Sequence, residues 1–131
     1  MKIDHIGIVV HDIQKALGVY EGALGLLLQE VVEVPDQEVW VAFLPLGESN
    51  VELVQPTSDN TGTARFLAKR GEGIHHICIE VDDIDAALAR FKDHGVPLID
   101  EQARQGAHGR VAFVNPKGAH GVLLELVEHG D

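Results

Sequence analysis

Gly73-Ile74-His75-His76-Ile77-Cys78-Ile79-Glu80-Val81-Asp82-Asp83-Ile84-Asp85 restates the opening of the chain, Asp4-His5-Ile6-Gly7-Ile8-Val9-Val10-His11-Asp12-Ile13. His76 lies 71 residues beyond His5, and Ile77, Ile79 and Ile84 keep the same distance from Ile6, Ile8 and Ile13. A repeat of this length is a whole supersecondary unit rather than a solenoid turn, so it predicts two similar modules related by a pseudo-twofold axis. The functional site is expected on that axis.

Working outward from His5, residues 3–10 alternate, which puts His5, Gly7 and Val9 on one face of a strand and Ile6, Ile8 and Val10 on the other. Asp12 stands where a helix N-cap belongs. Ile13, Ala16, Leu17, Tyr20 and Leu24 follow at helical spacing, and Gly25 is placed to end the helix. Strands are expected at Leu26–Val34, Val39–Leu46 and Asn50–Gln55, the last two joined by a turn at Gly47-Glu48-Ser49. The module reads β-α-β-β-β. Polar turn residues from Pro56 and a short helix over Thr63–Arg70 form the connection to the second module.

In the second copy, Asp82 or Asp83 caps a helix carrying Ile84, Leu88 and Phe91, closed by Gly95. Strands are expected at Val96–Ile99, at Val111-Ala112-Phe113, which answers Val41-Ala42-Phe43, and over Gly121–Val127. There Leu124-Glu125-Leu126-Val127 answers Val51-Glu52-Leu53-Val54. The expected architecture is α+β, one domain of 131 residues made of two βαβββ modules, about residues 3–55 and 74–127, joined by the helical connection.

A net charge of −11 argues against nucleic acid and against an anionic membrane surface. No stretch of 18 apolar residues and no basic-then-apolar leader is present, so neither membrane spanning nor secretion is expected. The single cysteine, Cys78, cannot form an internal disulfide, which makes a reducing, cytoplasmic setting the expectation.

Each module supplies a His on its first strand and a Glu on its last: His5 with Glu52, and His76 with Glu125. Two imidazoles and two carboxylates suit a divalent transition ion such as cobalt, nickel, manganese, iron or zinc, with open positions for substrate if the ion is octahedral. One strand histidine would mean little; four residues at repeat-matched positions mean more, although a solvated carboxylate is the ordinary state of Glu. His11, His94 and His129, at turns or in the C-terminal tail, read as solvated. His75 points away from His76 by strand alternation, and Cys78 shares the His76 face. Gly-Ala-His-Gly occurs twice, at 106–109 and 118–121, and reads as turn chemistry or as a pair of loops gripping a substrate.

At these residues the chain resembles the vicinal-oxygen-chelate superfamily and, within it, the methylmalonyl-CoA epimerases. The segments carrying the resemblance are Asp4-His5, Gly73 to Asp82, Gly106-Ala107-His108-Gly109, Pro116-Lys117 and Gly121-Val122-Leu123-Leu124-Glu125-Leu126. The resemblance implies a paired βαβββ fold, a homodimer, an acyl-CoA thioester substrate, and a divalent metal, commonly cobalt, held by His5, Glu52, His76 and Glu125. Two departures matter. Some members carry Gln in place of Glu52, and certain epimerases carry a Glu, proposed as a base, where Val41 stands here. That base cannot be transferred.

The implied reaction removes the proton between a thioester and a carboxylate and returns one on the opposite face, through an enolate stabilised by the metal. Glu125 is the first candidate for proton transfer, with Glu52 or a water as the second. Arg65, Lys69, Arg70, Arg104, Arg110 and Lys117 are available for the coenzyme's phosphates. Two alternatives share the fold: lactoylglutathione lyase (glyoxalase I), which uses a His-Glu-His-Glu set, and a non-catalytic small-molecule-binding module. An iron dioxygenase would need only two His and one carboxylate.

Overall fold

A computed structural model describes residues 1–130. The chain divides into two compact units: residues 5–75, and residues 1–4 together with the chain from His76 onward. The first contains most of β1 (Lys2–Val9), a helix α1 (Ile13–Leu17), β2 (Glu30–Val34), β3 (Val39–Leu46), β4 (Ser49–Pro56) and α2 (Gly62–Arg70). The second contains most of β5 (Gly73–Glu80), then α3 (Ile84–Asp93), β6 (Arg104–Gln105), β7 (Gly109–Val114) and β8 (Leu124–His129). Each is an α+β module in which four strands are backed by one helix.

The strand order is β2-β3-β4-β1 in the first unit and β6-β7-β8-β5 in the second. In both, the first and last strands are parallel neighbours, with Gly7 opposite Glu52 and Cys78 opposite Glu125. Parallel neighbours need a crossover, and the helix that follows the first strand provides it. Strand alternation then separates two faces. On the helix side of the first unit, Ile13 and Leu17 pack with Val10, Ala42, Leu44, Val51 and Leu53. The opposite face holds Val34, Val39, Val41, Phe43 and Val54. The second unit repeats this with Ile84, Ala87, Leu88, Ala112 and Leu126 under the helix and Cys78, Val111 and Val127 on the other face.

Both helix starts are held twice. Asp12 Oδ1 accepts from the Gln14 amide at 2.9 Å, and Gln55 Oε1, reaching from β4, accepts from the Ile13 amide at 2.9 Å. In the second unit Asp83, not Asp82, is the cap, accepting from the Ala86 amide at 3.0 Å, while Glu128 Oε1 from β8 accepts from the Ile84 amide at 2.9 Å. Thr61 caps α2 through the Ala64 amide at 2.9 Å. These bonds satisfy amides that a helix start leaves without internal partners.

Four expectations need correction. The helix from Ile13 is α-helical only to Leu17, and Gly18–Ala23 winds on as a π-helix, with the Leu24 amide bonded to the Val19 carbonyl. The strand expected from Leu26 begins at Glu30, because Gly25 turns at φ 89° and the Leu26 amide is still tied back to the Tyr20 carbonyl. No strand forms over Val96–Ile99. Pro97 has no amide to donate, the Ile99 and Asp100 amides share the Phe113 carbonyl, and the Phe113 amide goes to Asp100 Oδ2. A single bridge joins Leu98 to Val114, and the edge strand is Arg104–Gln105 instead. Finally, β8 starts at Leu124 rather than Gly121, since His120 and Gly121 both have positive φ, and it runs on to His129.

The first Gly-Ala-His-Gly is a turn between β6 and β7, closed by the Gly106 amide on the Gly109 carbonyl at 2.7 Å. A Cβ on Gly109 would fall 2.3 Å from the Glu128 carbonyl oxygen, whereas one on Gly62 meets only Arg65 at 3.8 Å. Gly109→Ala should therefore lower stability by about 2–3 kcal/mol, as overpacking does, and Gly62→Ala should change it by less than about 1 kcal/mol. Urea titration of the two variants checks this.

Candidate active site

His5 and Glu52 stand on adjacent parallel strands, two residues out of direct register, which puts them on one face. His5 Nδ1 lies 2.8 Å from Glu52 Oε2, and both side chains are about nine-tenths buried. The second unit repeats the arrangement: His76 Nε2 lies 3.0 Å from Glu125 Oε1, with side-chain exposures of 8% and 4%. A phenylalanine opposes each carboxylate across the antiparallel side, Phe43 opposite Glu52 and Phe113 opposite Glu125. The Phe113 ring meets His76 edge-on, 5.8 Å between centroids. Each carboxylate therefore sits in an apolar face with an imidazole within hydrogen-bond distance, which is where a buried carboxylate can persist.

These donors have the chemistry of a metal site. Imidazole nitrogen and carboxylate oxygen are borderline-to-hard ligands suited to divalent first-row ions. All four predicted ligands are buried, as ligands of a tightly held ion need to be, and each module supplies one of each kind.

The remaining predicted residues fall out as follows. Val41 is buried between Val32 and Val54, with no carboxylate in that register. Cys78 is fully buried against Val111 and Val127, a packing role. His75 is on the other face from His76 and stacks edge-on with Phe66 at 4.8 Å. Among the basic residues, Arg110 is committed to Asp85 through two bonds of 2.8 and 3.0 Å, and Arg104 pairs with Asp100 at 3.5 Å. Arg65 donates to the Asn60 carbonyl, and Arg70 lies over the Phe66 ring. Lys69 and Lys117 are exposed.

His129 is the residue that sequence reasoning misplaced. It is exposed, as expected, but it is the last residue of β8 rather than part of a loose tail, and its Nε2 lies 2.6 Å from Asp4 Oδ1 and 3.2 Å from Glu80 Oε1. Its Nδ1 lies 3.1 Å from the His108 carbonyl oxygen. Asp4 is 125 residues away in the chain, so no local pattern could have announced the pair. Burial works against the charged ring. The hydrogen bonds to Asp4 and the His108 carbonyl, with the charges of Asp4 and Glu80, outweigh it and raise the His129 pKa above its ordinary 6.5.

The family model for the Glyoxalase/Bleomycin resistance protein/Dioxygenase superfamily matches residues 4–113. The mitochondrial methylmalonyl-CoA epimerase of Homo sapiens is 40% identical over 127 residues, covering 95% of this chain and 72% of that protein. The ethylmalonyl-CoA/methylmalonyl-CoA epimerase of Cereibacter sphaeroides is 38% identical over 128 residues, covering 95% and 96%. A solved structure of a methylmalonyl-CoA epimerase in complex with methylmalonyl-CoA and ammonium superposes with a TM-score of 0.94 at 36% identity, covering 98% of this chain and 94% of that one.

A group with a raised pKa in the folded state stabilises it fully below its unfolded value and loses that contribution as the pH rises through the folded value. The stability difference between the wild type and His129→Gln should therefore be largest below pH 6.5 and shrink on the alkaline side. Thermal melts of the two proteins across the pH range measure it.

Proposed function

The chain belongs to the Glyoxalase/Bleomycin resistance protein/Dioxygenase superfamily and, within it, to the methylmalonyl-CoA epimerases. From that premise we propose that it is an isomerase interconverting (R)- and (S)-methylmalonyl-CoA, with His5, Glu52, His76 and Glu125 together holding one divalent ion. Supporting the ligand set above all is the buried His–Glu pair that recurs at equivalent register in both units. Cobalt is the favoured ion, with nickel, manganese, iron and zinc as candidates of similar ligand preference.

The substrate carbon between thioester and carboxylate carries an acidic proton, and epimerisation needs only that it leave one face and return on the other. A divalent ion bound by the four side chains would supply a Lewis acid for the negative charge that grows on the substrate oxygens, a contribution of several kcal/mol. In this reading Glu125 takes or gives the proton, and Glu52 or a water acts on the opposite face. Val41 supplies no acid or base.

The exposed apolar side chains of Leu24 and Leu27 suit a surface buried against a second copy, in line with a homodimer. No helix among the described residues is long and apolar enough to cross a membrane. The buried thiol of Cys78 suits a reducing compartment, for which the cytoplasm is our reading, although the human relative is mitochondrial by name.

His5→Ala and His76→Ala should each lose the ion on dialysis, while His94→Ala, whose ring is exposed and bonded to the Arg90 carbonyl, should keep it. Equal metal content in all three would show that the ligands are others. In deuterated water the metal-loaded protein should wash deuterium into the carbon between thioester and carboxylate of methylmalonyl-CoA. Removing the metal, or making Glu125→Gln, should slow this by roughly a thousandfold or more. Isomerisation of the methylglyoxal–glutathione hemithioacetal with no such exchange would replace this reading by lactoylglutathione lyase; ligand binding with neither reaction would replace it by a binding module.

A further inference from the structure

Both ring nitrogens of His129 face acceptors. Nε2 is held between two carboxylates, Asp4 at 2.6 Å and Glu80 at 3.2 Å, and Nδ1 faces the His108 backbone carbonyl at 3.1 Å. A carbonyl oxygen has no proton to give, and neither has an ionised carboxylate, so the geometry is satisfied by an imidazolium donating from both nitrogens. The groups around it are Asp4 from β1, Glu80 from β5 and the turn carbonyl between β6 and β7. Its partner on β7 is Gly109, which has no side chain to add. The Asp4 side chain is 11% exposed and the His129 ring 37%.

Asp4 is the residue before His5. Residues 1–4 belong with the chain from His76 onward, so the carboxylate that His129 grips is the last anchored side chain before the strand delivers His5. Adjacent Cα atoms are a fixed ~3.8 Å apart, and a ligand must be held within roughly half an ångström of its working position. An anchor one residue upstream therefore controls where the imidazole of His5 can sit.

We propose that His129 is a positioning residue for the metal centre: by holding the Asp4 carboxylate from the end of β8 it fixes the strand that carries His5. This rests on the reading of His5 as a metal ligand. Asp4 is buried while the His129 ring is partly exposed, so the pair also contributes to folding stability, and its effect on the site is read from metal affinity in folded protein. Removing an outer hydrogen-bonding partner of a metal site commonly weakens binding by one to two orders of magnitude, and a clamp acting one residue away belongs at the lower end, about tenfold.

The test titrates metal-stripped wild type, His129→Gln, His129→Lys and His5→Ala with Co²⁺ by calorimetry, at a temperature where circular dichroism shows each folded. Near pH ~6 the wild type should bind about tenfold more tightly than His129→Gln. Towards pH ~9 the imidazolium loses its proton and that ratio should fall towards one. Protonation of the ligands themselves affects both proteins alike and cancels in the ratio. His129→Lys, whose cation persists at alkaline pH, should match the wild type near pH ~6 and exceed it near pH ~9; it carries the same comparison should the Gln variant fail to fold.

Equal affinity of wild type and His129→Gln near pH ~6, with binding lost in His5→Ala, would overturn the positioning role and leave the ligand reading standing. Undiminished binding in His5→Ala would overturn the ligand reading and this inference with it. A second equivalent of Co²⁺ in the wild type that His129→Gln lacks would also overturn it, because the cluster of Asp4, Glu80 and His129 would then be a cation site of its own.

Discussion

A carboxylate taken out of water is expensive unless an ionic or hydrogen-bonding partner comes with it, and besides Asp4 this molecule does so at two matched positions, Glu52 and Glu125. The partner in each case is an imidazole on the neighbouring strand, two residues out of register. That requirement propagates through the module. His and Glu can meet only if the first and last strands are adjacent, and because both run the same way the chain must cross over between them. The crossover begins with a helix, the helix needs an apolar face to rest on, and strand alternation supplies it opposite the His–Glu face. The sheet thus holds hydrocarbon under the helix and its buried His–Glu pair on the other side.

The last strand does a second job. Three residues after each carboxylate, Gln55 and Glu128 turn to the helix side and accept from the first helical amide. One strand therefore presents a site carboxylate on one face and fixes the start of the crossover helix on the other. Glu128 also lies 3.8 Å from Arg110, which is itself held by Asp85 in the first turn of α3. The two copies differ where this network does not reach: the first helix loosens into a π-helix after Leu17, and the edge strand of the second module is the short Arg104–Gln105, after a segment in which Asp100 takes the Phe113 amide.

The repeat was legible because strand alternation is a short-range pattern, and a second copy made each position readable against the first. His5, Glu52, His76 and Glu125 could all be picked from the sequence, and the structure pairs them within each module. The helix caps at Asp12 and Asp83 were legible for the same reason, whereas Gln55 and Glu128 were not, although they too are a repeated pair. Their partners lie about 40 residues back, and a glutamine beside a glutamate does not announce a common role. Val96–Ile99 misled because its apolar composition suits a strand while Pro97 denies it the amide. His129 misled because a terminal histidine usually meets water, and its partner is at the other end of the chain.

The valine environment of position 41 narrows the chemistry further. Val41 lies on the face of Glu52, paired with Val32 and Val54 and almost wholly buried, so a carboxylate there would have hydrocarbon on both neighbouring strands. In the proposed reaction, proton transfer then falls to carboxylates that are already bonded to imidazoles. This is compatible with both duties, since a carboxylate has two oxygens and about four acceptor sites, and holding a histidine or a cation with one oxygen leaves acceptor capacity on the other. What the pairing fixes is direction. A glutamate steered by a buried imidazole on a paired strand has few rotamers left, and a base held in one orientation presents its lone pair to one place without having to be ordered anew in each turnover.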